Sequence, residues 1–130
     1  NIDIVHFGTG MVVNAAIVHG ADVNKSNQLG VTPLMLASIG NPARDMRMAD
    51  EIQYLLLENG ADVAAKDKNG NTPLIYAAQN SGQSAKDMAE NLFDFGDPLV
   101  EHANNAGKSA LDYATEKNNE MLVKLLLNNM

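Results

Sequence analysis

The sequence predicts an all-α solenoid of stacked helix-turn-helix units joined by β-hairpin loops. Three observations carry this reading. One short signature opens three segments alike, as Asn27-Gln28-Leu29-Gly30-Val31-Thr32-Pro33-Leu34, Asp67-Lys68-Asn69-Gly70-Asn71-Thr72-Pro73-Leu74 and Asn104-Asn105-Ala106-Gly107-Lys108-Ser109-Ala110-Leu111. A second recurs out of phase with it, as Gly20-Ala21-Asp22-Val23-Asn24, Gly60-Ala61-Asp62-Val63-Ala64 and, more weakly, Gly96-Asp97-Pro98-Leu99. Between the two lie paired apolar stretches at helical spacing, of which Ile52, Leu55, Leu56 and Leu57 before Gly60 form the clearest. Interleaved signatures mean a repeat array in which each unit runs helix, turn, helix, hairpin.

The elements follow in chain order. Residues 1–26 keep Phe7-Gly8 and a second helix that ends at Gly20, but lack a Thr-Pro-Leu start. Unit 27–66 opens with a tip at Asn27 to Gly30, where Asn and Gly supply the positive φ of a tight hairpin turn. Thr32 then caps a helix whose first residue is Pro33, since proline has no N–H to lose there and its φ is already helical. Ala37-Ser38 keep that helix thin enough for close packing. Asn41-Pro42 predict the start of a longer second helix, with Met46, Ala49, Ile52 and Leu56 inside it and Gly60 at its left-handed end.

Unit 67–103 repeats the plan with Asp67 to Gly70, Thr72-Pro73 and Ala77-Ala78. Ser84 and Asp87 predict a capping box for its second helix, with Met88, Leu92 and Phe93 on the buried side. Unit 104–130 has Asn104 to Gly107, Ser109, Ala114 and a last helix through Met121 and Leu127. Met46, Met48, Met88 and Met121 are expected to fill the core. Together, 1–130 reads as one domain.

The ordered elements Gly-x-Thr-Pro-Leu, an Ala-rich helix, a Leu-Leu helix and Gly-Ala-Asp-Val-Asn resemble the ankyrin repeat over nearly the whole chain. Two departures stand out. The glycines Gly30, Gly70 and Gly107 lie 40 and then 37 residues apart, against about 33 for that repeat, which predicts second helices longer by about two turns and about one turn. The family's hydrogen-bonding histidine after Thr-Pro-Leu is replaced by Met35, Ile75 and Asp112.

Composition narrows the function classes. A chain of 130 residues with 45% apolar content buries a core without metals or disulfides, and cysteine is absent. The net charge of −7 repels phosphate backbones, and the basic residues do not cluster, so no nucleic-acid partner is expected. No apolar run reaches the roughly 18 residues that span a bilayer, so no membrane partner is expected either. His6, His19 and His102 fall in different registers of the repeat, and the recurring Asp22 and Asp62 belong to the hairpin signature. Accordingly, no catalytic residue, cofactor or metal site is assigned.

The resemblance implies a non-catalytic protein-interaction module whose partner sits on hairpin fingers and the concave first helices. Carried over position by position, the finger residues are Gln28, Leu29, Val31, Lys68, Asn69, Asn71, Asn105, Ala106 and Lys108, and the first-helix residues are Ile39, Gln79, Asn80, Glu116 and Lys117. Leu29, Val31 and Ile39 are expected to form an exposed apolar patch. The charged residues Arg44, Asp45, Arg47, Asp50 and Glu51 read as a solvated convex face. Alternatives are an ankyrin segment of a larger enzyme or channel, suggested by a chain that begins at Asn1, and a self-associating scaffold, although a monomer is favoured. The compartment stays open, with the cytoplasm favoured over export after removal of a signal peptide.

Overall fold

The computed structural model describes residues 22–39 and 46–130. Among them are six helices, α1 (Pro33–Ile39), α2 (Met46–Glu58), α3 (Pro73–Ala78), α4 (Gly82–Phe95), α5 (Ala110–Glu116) and α6 (Glu120–Asn128). They pair as α1 with α2, α3 with α4 and α5 with α6. The short helices α1, α3 and α5 pack in one row and the second helices α2, α4 and α6 in another, so the molecule has two layers with the core between them. None of the described helices is long and apolar enough to cross a membrane.

Each short helix starts where the sequence places it. The Met35 N–H donates to Thr32 Oγ1 and the Ile75 N–H to Thr72 Oγ1, both at 3.3 Å, so each threonine satisfies an amide that helix geometry leaves open. Ser109 does the same for Asp112, whose carboxylate in turn accepts from the Ser109 N–H at 2.9 Å. The residues standing in the family's histidine position therefore have roles of their own. Asp112 closes a capping box, Met35 offers its sulfur to the Thr32 N–H at 3.5 Å, and Ile75 is buried in the core.

Small and branched side chains fill the interior. Leu34, Leu74, Ala77, Ala78, Ala114, Leu122 and Leu126 are buried in one continuous cluster. On α4 the buried stripe is Ala85, Met88, Ala89 and Leu92, a helical spacing of three and four that faces α2 and α6. A polar seam runs through this core. The buried Gln53 donates from Nε2 to Ser38 Oγ and to the Met88 carbonyl, both at 3.2 Å, and its Oε1 accepts from Asn91 Nδ2 at 3.1 Å. Because both of its N–H groups and its oxygen have partners, the buried amide joins α1, α2 and α4 without leaving an orphaned group.

The second helices are long, at 13 residues for α2 and 14 for α4 against 9 for α6. Gly60 ends α2 at φ 90°, its N–H bonded to the Leu57 carbonyl and that of Ala61 to the Leu56 carbonyl, both at 3.1 Å. This is the Schellman closure that the sequence leads one to expect of a C′ glycine. The corresponding glycine of the first unit, Gly20, and the Asn41-Pro42 helix start lie outside the described residues.

Two sequence expectations are corrected here. The Ser84–Asp87 capping box does not form, because α4 begins earlier, at Gly82 after Ser81. Ser84 is inside the helix, and Asp87 accepts from Gln83 Nε2 at 2.9 Å. A tertiary bond marks the true start: Asn119 Nδ2 donates to the Gly82 carbonyl at 3.1 Å. Met121 is exposed rather than part of the core, whereas Met88 is buried. On α6 the inward positions are Leu122 and Leu126, which turns the neighbouring Met121 outward.

Candidate functional site

The three fingers are built by one device. Asn27 Oδ1 accepts from the N–H groups of Leu29 and Val31 at 2.9 and 3.0 Å. Asp67 Oδ1 accepts from Asn69 and Asn71, both at 2.9 Å. Asn104 Oδ1 accepts from Ala106 and Lys108 at 3.0 and 3.1 Å. Each tip is then closed by a glycine N–H donating back to the first residue, with φ of 78°, 78° and 79° at Gly30, Gly70 and Gly107. A side-chain oxygen that holds two amides in this way replaces most of a hairpin ladder. The only bridge among the described residues is the isolated pair Ala103 and Ser109.

The fingers are also stitched to one another. The Lys68 N–H donates to the Leu29 carbonyl and that of Asn105 to the Asn69 carbonyl, both at 2.9 Å. Asn105 Nδ2 adds a bond to the Lys68 carbonyl at 3.0 Å, and His102 Nε2 lies 2.8 Å from the Gly70 carbonyl. Below them Asn24 grips the next unit by both ends of its amide, accepting from the Asp62 N–H at 2.7 Å and donating to the Gly60 carbonyl at 3.1 Å. Ala64, at Asn24's place in the following signature, has no side-chain amide with which to repeat this grip.

On α3 and α5 one face of the short helix looks onto its finger. The Tyr76 hydroxyl donates to the Asp67 carboxylate, Asn104 Nδ2 donates to the Tyr113 hydroxyl at 3.1 Å, and Lys108 Nζ reaches Glu116 at 2.6 Å. Burial, and then the bond to Asp67, push the Tyr76 phenol up to about 12. Asp67 is itself buried, so this residue of the charged Lys66-Asp67-Lys68 tip is turned into the protein rather than toward solvent.

These contacts fix two columns of side chains along the stack. Four residues after the cap stand Leu36, Tyr76 and Tyr113, and seven after it stand Ile39, Gln79 and Glu116. The second column grades from the apolar Ile39 through Gln79 to the ionic Glu116, and the first from Leu36 to two tyrosines. Leu29, Leu36 and Ile39 are 61%, 38% and 42% exposed. Gln28, Lys68, Asn69, Asn105, Ala106, Gln79, Glu116 and Lys117 are exposed as well.

Val31 departs from its expected place in the patch, because it is buried. Its counterparts explain why. Asn71 and Lys108 are half-buried, their polar ends reaching Asn104 Nδ2 and Glu116. Longer side chains at this register stay half-buried and reach polar partners, whereas the short valine is buried outright. Asn80 is likewise tied inward, with Nδ2 donating to the Ser38 carbonyl at 2.7 Å and the Ala77 carbonyl at 3.1 Å. Leu36, which the sequence reading missed, is exposed on α1, three residues before Ile39. Its signal was its alignment with Tyr76 and Tyr113, a column of large side chains on helices otherwise thinned by alanine.

A shallow cleft of about 370 Å³ opens beside the last finger, lined among others by Lys66, Asp97, Val100, His102 and Met130. Its polar groups serve the backbone: Asp97 Oδ1 accepts from the Leu99 N–H at 3.0 Å, and His102 Nε2 faces the Gly70 carbonyl. His6 and His19 lie outside the described residues.

A family model described as ankyrin repeats, in three copies, matches residues 3–98 and 43–130. The chain is also similar to a fowlpox virus (strain NVSL) protein named as an ankyrin repeat protein, with 36% identity over 66 residues. That match covers 51% of this chain and 31% of the viral protein, about a third of the relative's length.

Proposed function

The chain belongs to the ankyrin-repeat family, and from that premise we propose that it binds a protein partner through its fingers and first helices without catalysing a reaction. The exposed aliphatic group Leu29, Leu36 and Ile39 carries this reading. Leu29 stands at a finger tip, Leu36 and Ile39 lie three residues apart on α1, and none of them is needed to fill the core. Leaving them in water forgoes about 25 cal/mol for every Å² of apolar surface that a partner would cover. The stitched fingers supply the complementary property, a backbone held in place before binding, which reduces the ordering cost of association.

The remaining positions follow from the same geometry. Gln28, Lys68, Asn69, Asn105 and Lys117 project polar groups along the row beyond the apolar patch, and Gln79 and Glu116 continue the Ile39 column. Asn71 and Asn80 contribute chiefly by holding neighbouring units together, and Lys108 by its ion pair with Glu116 within the last unit. The partner surface that fits is an apolar contact flanked by hydrogen-bonding and charged groups.

Comparative capture tests the proposal. Immobilised chain and a Leu29→Ser, Leu36→Ser, Ile39→Ser variant, matched for helical circular dichroism and Tm, are exposed to the same native lysate, and retained proteins are identified by mass spectrometry. A protein held by the parent and lost by the variant supports binding at this face. Equal retention by both overturns it.

A further inference from the structure

We propose that the Tyr54–Phe95 pair, set between the acidic ends of α2 and α4, is a second docking surface, which takes an arginine- or lysine-bearing segment of a protein partner. Tyr54 and Phe95 are 44% and 40% exposed, and they are the exposed aromatic residues among those described. Their rings meet edge to face with centroids 5.4 Å apart, across the seam between neighbouring second helices. This places them in the layer opposite the fingers, so the surface is separate from the apolar patch at Leu29.

The charge around the rings argues for the occupant. Glu58 is the last residue of α2 and Asp94 the last but one of α4, and neither helix carries a basic residue in its final turn. A carboxylate at a helix C-terminus meets the negative end of the helix dipole, so both are placed against local stability. Glu58 lies four residues after Tyr54, on the same side of α2. Both carboxylates are exposed, and neither forms an ion pair among the described residues. Two exposed rings at two helix C-termini that lack basic residues, with Glu58 one turn beyond Tyr54 and Asp94 next to Phe95 in the chain, match a cation on an aliphatic stem. The guanidinium or ammonium lies against ring and carboxylate while its methylenes cover the apolar edge.

The test uses the full chain and two short synthetic peptides, one alternating arginine and leucine and the other alternating glutamate and leucine. Binding is followed by amide chemical shifts and by fluorescence anisotropy. The arginine peptide is expected to shift amides around Tyr54, Glu58, Asp94 and Phe95, to bind more weakly as salt rises, and to outbind the glutamate peptide. Tyr54→Ser with Phe95→Ser should weaken it at least tenfold. Glu58→Gln with Asp94→Asn should also weaken it at least tenfold while leaving the rings and the fold in place, so this second variant decides the matter if the first does not fold. Shifts confined to the fingers, or an affinity that both folded variants retain, would overturn the proposal. Because Leu29, Leu36 and Ile39 are intact in both variants, failure here is distinguishable from failure of the finger face.

Discussion

The finger at Asp67–Gly70 and the finger at Asn104–Gly107 are made with the same bonds, but only the first has a following finger packed over its glycine. A Cβ placed on Gly70 would meet Asn105 Oδ1 at 3.0 Å and Asn104 Cα at 3.2 Å, whereas one on Gly107 would meet nothing within 4 Å. The interior glycine thus answers two demands, a left-handed backbone and the close approach of the next unit, and the terminal glycine only the first. Their tip residues differ too. Asp67 is a buried carboxylate that accepts from Tyr76, while Asn104 is an amide that donates to Tyr113 and to Asn71. Two stretches of similar sequence therefore carry unequal energetic weight, as expected of a solenoid in which stability is shared between units and the interfaces joining them.

The largest effect should come from the glycines. Gly70→Ala is expected to cost about 2–4 kcal/mol, combining a left-handed alanine with overpacking against the next finger. Gly107→Ala should cost about 1–2 kcal/mol, from the backbone alone. Urea titration of both variants checks this, and equal losses would mean that finger contact contributes nothing. Next come the caps. Thr72→Ala should lose about 1–2 kcal/mol because Thr72 is fully buried between units, and Ser109→Ala about 0.5–1 kcal/mol at its more open site. Thermal unfolding of the two variants would show whether the interior cap is the stronger.

A pH experiment isolates the interior finger. The unfolded chain releases the tyrosine proton near 10, but folded Tyr76 holds it to about 12. The neutral phenol's contribution is therefore complete below pH 10 and lost as pH rises toward 12. Relative to the parent, Tyr76→Phe should be less sensitive to pH across that window, as measured by denaturant midpoints at successive pH values. The smallest effect is expected at the exposed Lys108–Glu116 pair. Glu116→Gln should leave Tm unchanged within error, since solvent screens such contacts.

Legibility in the sequence followed the range of the interactions. Thr72-Pro73 and Gly60 were readable because a cap and a C′ glycine act within a few residues. The finger columns were readable because the repeat places Ile39, Gln79 and Glu116 in one register. Ser84 misled because α4 starts two residues earlier, at Gly82, where Asn119 from the next unit adds a bond that local pattern does not announce. Val31 misled because its register is half-buried even for the longer Asn71 and Lys108, and a short valine there is buried. Leu36 went unnoticed because its importance comes from the tyrosines aligned with it in later units. The burial of Asp67 was hidden for the same reason, since its partner Tyr76 is nine residues away.

The most direct measurement of the central claim is amide chemical-shift mapping of the labelled chain against the partner recovered by comparative capture. The account predicts that the largest shifts fall at Gln28, Leu29, Leu36 and Ile39 and decline through Lys68 and Asn69 toward Asn105. Shifts that leave the fingers and first helices untouched would contradict it.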